Sequence, residues 1–172
     1  MSDFLRPFLD RWRLCALVIS AGMLAIAHAF ETFGGLAPCT LCLRQREVYW
    51  VAAALSAGFM VIVRLPGGPR WRAATCWILA LVFLTGAGVA AYHAGAEWKF
   101  WPGPTTCSGS GAGAVSASAL NELMNGAKIR PPACDQAAWV FGGLSMAGWN
   151  AVASLVFAGL SVAAALRERS KL

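Results

Sequence analysis

The chain of 172 residues is 58% hydrophobic and only 13% charged, with a mean hydropathy of +0.59. A soluble globular domain carries about a quarter charged residues, so the composition excludes an ordinary soluble domain and favours a membrane protein. The net charge of +6 would suit a nucleic-acid partner, but its distribution along the chain argues against one.

Four apolar segments predict four membrane-spanning helices, at 13–30, 43–63, 73–92 and 140–166. A spanning helix needs about 20 apolar residues; the third and fourth segments qualify outright, whereas the first two need their flanks. The sequence therefore predicts an all-α membrane protein, a single four-helix bundle over 1–172 with loops at 31–42 and 93–139. Helical spacing over 115–124 adds a short interfacial helix in the second loop.

The basic residues indicate how this bundle is oriented. The N-terminus, the connection 64–72 and the C-terminus carry the whole net charge, whereas the two longer loops are neutral in sum. Positive segments stay in the cytoplasm, so both termini are predicted inside and both loops outside. In an alternative interpretation the first segment is a cleaved signal peptide, because arginines precede it and Ala27-His28-Ala29 resembles a cleavage site.

Four of the six cysteines lie in the two predicted outer loops, two in each. Disulfides persist on the oxidising side of a bacterial-type membrane, so one disulfide is expected in each loop. Structural stapling is one alternative, and a zinc site is another. Zinc usually requires a second close pair, whereas Cys107 and Cys134 are 27 positions apart, so no metal is expected.

Cys39 and Cys42 have the spacing of a redox-active pair. A bridge between them would close a tiny loop and remove little entropy from the unfolded chain, so stapling explains it poorly. Pro38 suits the start of a helix, on which the two cysteines would share a face. A helix N-terminus favours a thiolate, and the pair is therefore predicted to be reactive.

Arg46 lies four residues after Cys42, one turn deeper on the same predicted face. A charge just inside a bilayer is costly and usually functional, so the guanidinium is expected to hold a thiolate or a ligand oxygen. The alternative is an arginine that snorkels to the head groups, which is the role expected of Arg44.

Several motifs of this chain together resemble those of a known family. The stretch PCTLCLRQR, the second loop with Cys107 and Cys134, the pair Tyr92-His93 and the stretch PGPTTC are similar to the DsbB family, the disulfide bond formation protein B family, over essentially the whole chain. The resemblance implies a thiol:quinone oxidoreductase of the bacterial inner membrane. It would reoxidise a DsbA-type periplasmic oxidase and pass two electrons to ubiquinone or menaquinone.

The resemblance also implies roles for single residues. Cys107 would be attacked by the reduced partner, and Cys134 would be its disulfide partner. Cys39 would exchange with that second pair, whereas Cys42 would face the quinone. Arg46 would contact the quinone oxygen and stabilise charge there.

His93 resembles a family position near the quinone, where it could donate a proton or a hydrogen bond. A structural interfacial histidine is the alternative. Simple structural roles are expected of the other polar and thiol side chains: small buried thiols at Cys15 and Cys76, a structural imidazole at His28, interfacial anchors at Glu97 and Trp101, and an interhelical hydrogen bond from Asn150.

Three other functions stay open on the sequence: a variant dedicated to one periplasmic partner, a vitamin K epoxide reductase-like protein, and a non-catalytic scaffold with stapled loops. The reductase-like protein should carry a fused thioredoxin-like domain or a different cysteine order, and neither is obvious. The scaffold predicts disulfides that stay oxidised when quinone is removed. The lipid bilayer is also an expected partner, because the predicted helices span it.

Overall fold

Four long helices form the structure, a computed structural model that describes residues 6–104, 124 and 134–171. The predicted interfacial helix over 115–124 therefore lies almost entirely outside the described residues. In chain order the elements are α1 (Arg6–Asp10), α2 (Trp12–Thr32), α3 (Thr40–Ile62), a 3₁₀ turn (Gly68–Trp71), α4 (Arg72–Glu97), β1 (Val140–Phe141), β2 (Leu144–Ser145) and α5 (Met146–Arg169).

Three of the described helices, α2, α4 and α5, are long and apolar enough to cross a membrane. Helix α3 has 23 residues, but its N-terminal end carries the polar run 44–47, which shortens the apolar stretch that a span requires. The protein is thus an all-helical membrane protein with three candidate spans. The span predicted at 43–63 stays a prediction.

The fourth apolar segment, 140–166, begins with a turn that its hydrophobic pattern does not indicate. Its helix begins at Met146 and not at 140, because β1 and β2 pair antiparallel around Gly142 and Gly143. Both glycines have positive φ, 58° and 82°, a conformation that costs little without a Cβ. Ser145 then caps α5, since its hydroxyl accepts a hydrogen bond from a backbone N–H of the first turn.

The helices pack through aromatic and small side chains. Trp12 is fully buried, and its Nε1–H donates to Ser161 Oγ at 2.8 Å, which provides the partner that a buried indole needs. Phe83 of α4 packs edge-on against Phe157 of α5, with ring centroids 5.5 Å apart. Helices α4 and α5 make the most extensive contact in the bundle.

Ion pairs join the first and last helices at one end of the bundle. The carboxylate of Asp10 accepts hydrogen bonds from Arg167 at 2.8 Å and from Lys171 at 2.5 Å. These two cations hold the pKa of Asp10 well below its usual range. The two ends of the described chain are therefore held side by side.

Gly86 is the residue of α4 where close packing is most easily tested. A Cβ there would lie 3.0 Å from Val48 and 3.4 Å from Ser154, whereas a Cβ at Gly88 would meet nothing within 4 Å. We expect Gly86→Val to be less stable than Gly88→Val by about 1–3 kcal/mol, the usual cost of overpacking. Both changes add the same side chain to the same helix, so thermal unfolding in detergent isolates the packing effect. Equal midpoints would contradict it.

Candidate redox site

Cys39 and Cys42 lie side by side at the start of α3. Cys39 is the N-cap, with extended backbone (φ −77°, ψ 171°), and its sulfur accepts a hydrogen bond from the Cys42 N–H at 3.3 Å. The Sγ atoms are 2.9 Å apart. The helix start predicted after Pro38 is confirmed.

Both residues are free thiols in the structure, so the predicted Cys39–Cys42 disulfide is not formed in it. The sulfurs need to approach by only about 0.9 Å to reach the length of about 2.0 Å that a disulfide has. Formation of that bond stays a prediction, and the geometry is compatible with it.

The two thiols differ in acidity. The Cys39 thiol donates a hydrogen bond to the Cys42 sulfur, which lowers the pKa of Cys42 to about 7 and raises that of Cys39. The charge of Arg46 also lowers the pKa of Cys42, whereas burial opposes the change. Both cysteines lie in the predicted loop 31–42, ahead of the predicted span. Cys42 is therefore the thiol suited to act as a nucleophile near neutral pH.

A chain of polar side chains, most of them buried, leads from Cys39 into the bundle. His93 Nε2 lies 3.6 Å from Cys39 Sγ, and His93 Nδ1 lies 2.7 Å from the Gln45 side-chain nitrogen. Asn150 donates to the Gln45 side-chain oxygen and accepts from the Tyr49 hydroxyl at 2.5 Å. The interhelical hydrogen bonding predicted for Asn150 is confirmed, and His93 lies beside the cysteine pair.

Glu97 is a second neighbour of His93, one helical turn further along α4. Its side chain is only 5% exposed, and its Oε1 lies 3.7 Å from His93 Nε2. Ser145, the cap of α5, donates to its other oxygen. The prediction that Glu97 anchors the interface is therefore wrong. The spacing i, i+4 from His93 was the signal that could have placed it in the site.

Arg46 contacts α2. Its Nη1 lies 2.5 Å from Glu31 Oε2 and its Nη2 donates to the Ala27 carbonyl at 3.1 Å, with the side chain 14% exposed. Arg44 on the same helix is 65% exposed and pairs with Glu47 at 2.9 Å. The two arginines thus differ in exposure, and the ion pair with Glu31 is a partner that the sequence did not reveal. The ligand contact expected of Arg46 stays a prediction.

Cys134 is the described cysteine of the second loop, and it is fully buried against the first pair. It packs with Cys39 and Leu41, and Cys42 packs against the same cluster. Cys134 is disulfide-bonded. Cys107, its predicted partner, lies outside the described residues, and the Cys107–Cys134 pairing stays a prediction.

An ion pair holds the segment that carries Cys134. Lys99, just after α4, donates to the Asp135 carboxylate at 2.6 Å and to the Asp135 carbonyl at 2.5 Å. The first of these hydrogen bonds lowers the pKa of Asp135. The segment is thereby tied to the end of α4, close to His93.

Two further features bear on what the site can bind. The ligand atoms of Cys39, Cys42 and His93 lie within 4.8 Å of one another, so by distance alone they could share a soft metal ion; the expected absence of metal stays a prediction. A groove of about 600 Å³ runs between α3 and α4. Arg44 and Leu41 line it, whereas Arg46 lies against α2. Arg46, the arginine expected to contact a ligand oxygen, therefore does not line this groove.

The remaining cysteines lie at the opposite end of the bundle. Cys15 and Cys76 are free thiols near the starts of α2 and α4. Cys76 is buried, as predicted, and accepts a hydrogen bond from Arg13 at 3.5 Å; Cys15 is partly buried.

Comparison with known proteins identifies the family. A family model described as "Disulfide bond formation protein DsbB" matches residues 10–164. The chain belongs to the DsbB family. Three curated DsbB-family relatives, each called disulfide bond formation protein B, cover most of it. They come from Marinobacter nauticus (29% identity; 89% of this chain, 91% of the relative), Aromatoleum aromaticum (31%; 94% and 92%) and Dechloromonas aromatica (29%; 84% and 83%). No solved structure gives a significant match.

The acidity of Cys42 can be tested in the reduced protein. Alkylation by iodoacetamide requires the thiolate, so we expect the rate at Cys42, mapped by mass spectrometry, to rise with pH and reach half its maximum near pH 7. Cys39→Ala removes the thiol that donates to Cys42 and should move this midpoint upward. The same midpoint in both proteins would contradict the assigned hydrogen bond.

Proposed function

We propose that this DsbB-family protein is a thiol:quinone oxidoreductase of the bacterial inner membrane. It would restore the disulfide of a DsbA-type periplasmic oxidase and pass two electrons to ubiquinone or menaquinone. The observation that carries the proposal is the contact between Cys134 and the Cys39–Cys42 pair. Exchange requires one sulfur to attack another directly, and this contact supports the proposal because it packs a residue of the second predicted pair against the first pair.

The electrons would move through a series of thiolate attacks. A partner thiolate attacks Cys107, and the Cys107–Cys134 bond breaks to release the Cys134 thiolate. That thiolate attacks Cys39, which forms a Cys39–Cys134 bond and releases the Cys42 thiolate.

Two further attacks complete the transfer. The second thiol of the partner attacks the partner sulfur that is bonded to Cys107. The partner then leaves with its own disulfide restored, and Cys107 is released as a thiolate. The freed Cys107 thiolate attacks Cys134, which restores the second disulfide and leaves Cys39 and Cys42 reduced. A bonded Cys134 and free thiols at Cys39 and Cys42 are compatible with this state.

Cys42 and Arg46 would form the quinone site, on the face of α3 that meets α2. Cys42 combines a pKa of about 7 with partial exposure, so it can present a thiolate. A guanidinium has five N–H donors, and two contacts to α2 leave others for an oxygen. Bound there, a quinone would supply a sink for two electrons.

The polar start of α3 is compatible with a fourth membrane span. Gln45 hydrogen bonds to His93 and Asn150, and Arg46 to Glu31 and Ala27, so protein groups satisfy them where lipid could not. The opposite end of the bundle carries the basic side chains near Asp10. We therefore propose four spans with both termini in the cytoplasm and the cysteine pairs in the periplasm.

Purified protein should reduce quinone with a reduced DsbA-type oxidase as electron donor, and Cys42→Ser should abolish this. Arg46→Ala should raise the KM for quinone by about tenfold, because a charged hydrogen bond to the oxygen is lost. Quinone absorbance measures both quantities in steady state.

Arg44→Ala is the matched control, since it removes an arginine two positions away that is exposed and paired with Glu47. Its KM should equal that of the unmodified protein. A protein that keeps both disulfides and never reduces quinone would be a scaffold and not an oxidoreductase.

Removal of Cys134 should trap the partner. In Cys134→Ser the Cys107 thiolate has no disulfide partner, so it should attack the disulfide of an oxidised DsbA-type partner, form a mixed disulfide and release the second partner thiolate. With oxidised partner, Cys134→Ser should therefore accumulate a covalent complex more readily than Cys42→Ser, in which Cys107 stays bonded to Cys134. Non-reducing gels and mass mapping of the linked peptides measure this. A complex that maps to Cys39 would assign partner contact to the first loop instead.

A further inference from the structure

We infer that Gln45, oriented by Asn150 and Tyr49, holds the neutral His93 ring with its proton on Nε2, so that His93 donates a hydrogen bond to Cys39. Gln45, Asn150 and Tyr49 are then positioning residues that act on the redox pair through the imidazole. Only the effect on turnover rests on the proposed function.

The Nδ1 side of the ring faces a donor. The nitrogen of the Gln45 side chain lies 2.7 Å from Nδ1, and an amide nitrogen can donate but not accept. A neutral imidazole has one protonated and one bare nitrogen. Nδ1 must therefore be the bare one when Gln45 has this orientation.

The Nε2 side faces two acceptors. Cys39 Sγ lies 3.6 Å away and Glu97 Oε1 3.7 Å away, and Ser145 donates to the other Glu97 oxygen. A bare Nε2 would place a lone pair against a sulfur and a carboxylate. This second observation does not depend on how the Gln45 amide is turned, and it favours the same tautomer.

The orientation of Gln45 is set from further inside the bundle. The Tyr49 hydroxyl donates to the Asn150 side-chain oxygen, so the Asn150 nitrogen turns to the Gln45 oxygen, and the Gln45 nitrogen turns to His93. Each hydrogen bond fixes the direction of the next. The three positioning residues lie on α3 and α5, whereas His93 lies on α4, so three helices must meet for the proton to be placed.

A proton on Nε2 matters to Cys39 because its sulfur must be able to carry negative charge. A hydrogen bond donated to a thiolate stabilises it, and a bare Nε2 would repel it. The arrangement therefore stabilises Cys39 as the thiolate that leaves when its bond to Cys134 is broken, and distinguishes it from a buried thiol without a donor.

The tautomer can be read directly by nitrogen-15 NMR of the reduced protein in micelles, without quinone. The chain has two histidines, and His28 is exposed on α2, so His28→Gln leaves the signals of His93 alone. Protonated and bare ring nitrogens differ widely in chemical shift. We expect a protonated Nε2 and a bare Nδ1, and the opposite result would overturn the inference.

Asn150→Asp tests this series of hydrogen bonds at a position two hydrogen bonds away from His93. An ionised carboxylate accepts from both neighbours, so Gln45 must turn its nitrogen to position 150 and its oxygen to His93, and Nδ1 should gain a proton. The carbon-13 shift of the carboxylate establishes that it is ionised. Gln45→Glu makes the same change directly and serves if Asn150→Asp does not fold.

Ser154→Ala is the control, because Ser154 Oγ lies 3.1 Å from the Tyr49 hydroxyl at the far end of the chain, and its loss leaves the direction unchanged. Its His93 signals should match those of the unmodified protein. A bare Nδ1 beside an ionised carboxylate at 150 or 45, or a shifted proton in Ser154→Ala, would overturn the inference.

Turnover provides the functional readout. A variant whose Nε2 has lost its proton should show a kcat for quinone reduction lower by about tenfold, with KM unchanged because Arg46 is untouched. An unchanged kcat in such a variant would overturn the role assigned to His93. A parent protein that does not reduce quinone would refute the proposed function, while the NMR result would stand on its own.

Discussion

A polar side chain inside an apolar bundle needs a protein partner, because no water is there to replace one. This constraint organises the half of the bundle that contains the cysteine pair. Gln45 of α3, His93 of α4 and Asn150 of α5 satisfy one another, so three helices can only pack in one relative position there. The same packing also fixes the position of the cysteine pair at the start of α3.

The same constraint explains why the two arginines of the motif differ. Arg46 is directed into the bundle and finds the Glu31 carboxylate and a carbonyl at the end of α2. Arg44 is turned outward, where it needs only the exposed Glu47. Two residues of one type, two positions apart, thus have different surroundings because a helix turns about 200° between them.

Much of the architecture follows from periodicity and composition alone. The long helices, the helix start at Cys39 and the hydrogen bonding of Asn150 could all be predicted, since each depends on neighbours in sequence or on the cost of burying an amide. The burial of Glu97 could not, because it depends on Ser145 arriving from another element, although the i, i+4 spacing already placed Glu97 beside His93 on the same helix. The turn at Gly142-Gly143 was hidden by apolar neighbours that also suit a helix, and the Arg46–Glu31 pair depends on how α2 and α3 pack.

The hydrogen bond from Trp12 to Ser161 has a consequence for biogenesis. The two residues are 149 positions apart. During synthesis on the ribosome, the indole of Trp12 therefore lacks its hydrogen-bond acceptor until the last helix is made. Asp10 waits in the same way for Arg167 and Lys171. The contacts between the first and last helices therefore form only after translation is nearly complete, and a nascent chain stalled before α5 would present an open bundle to the insertion machinery.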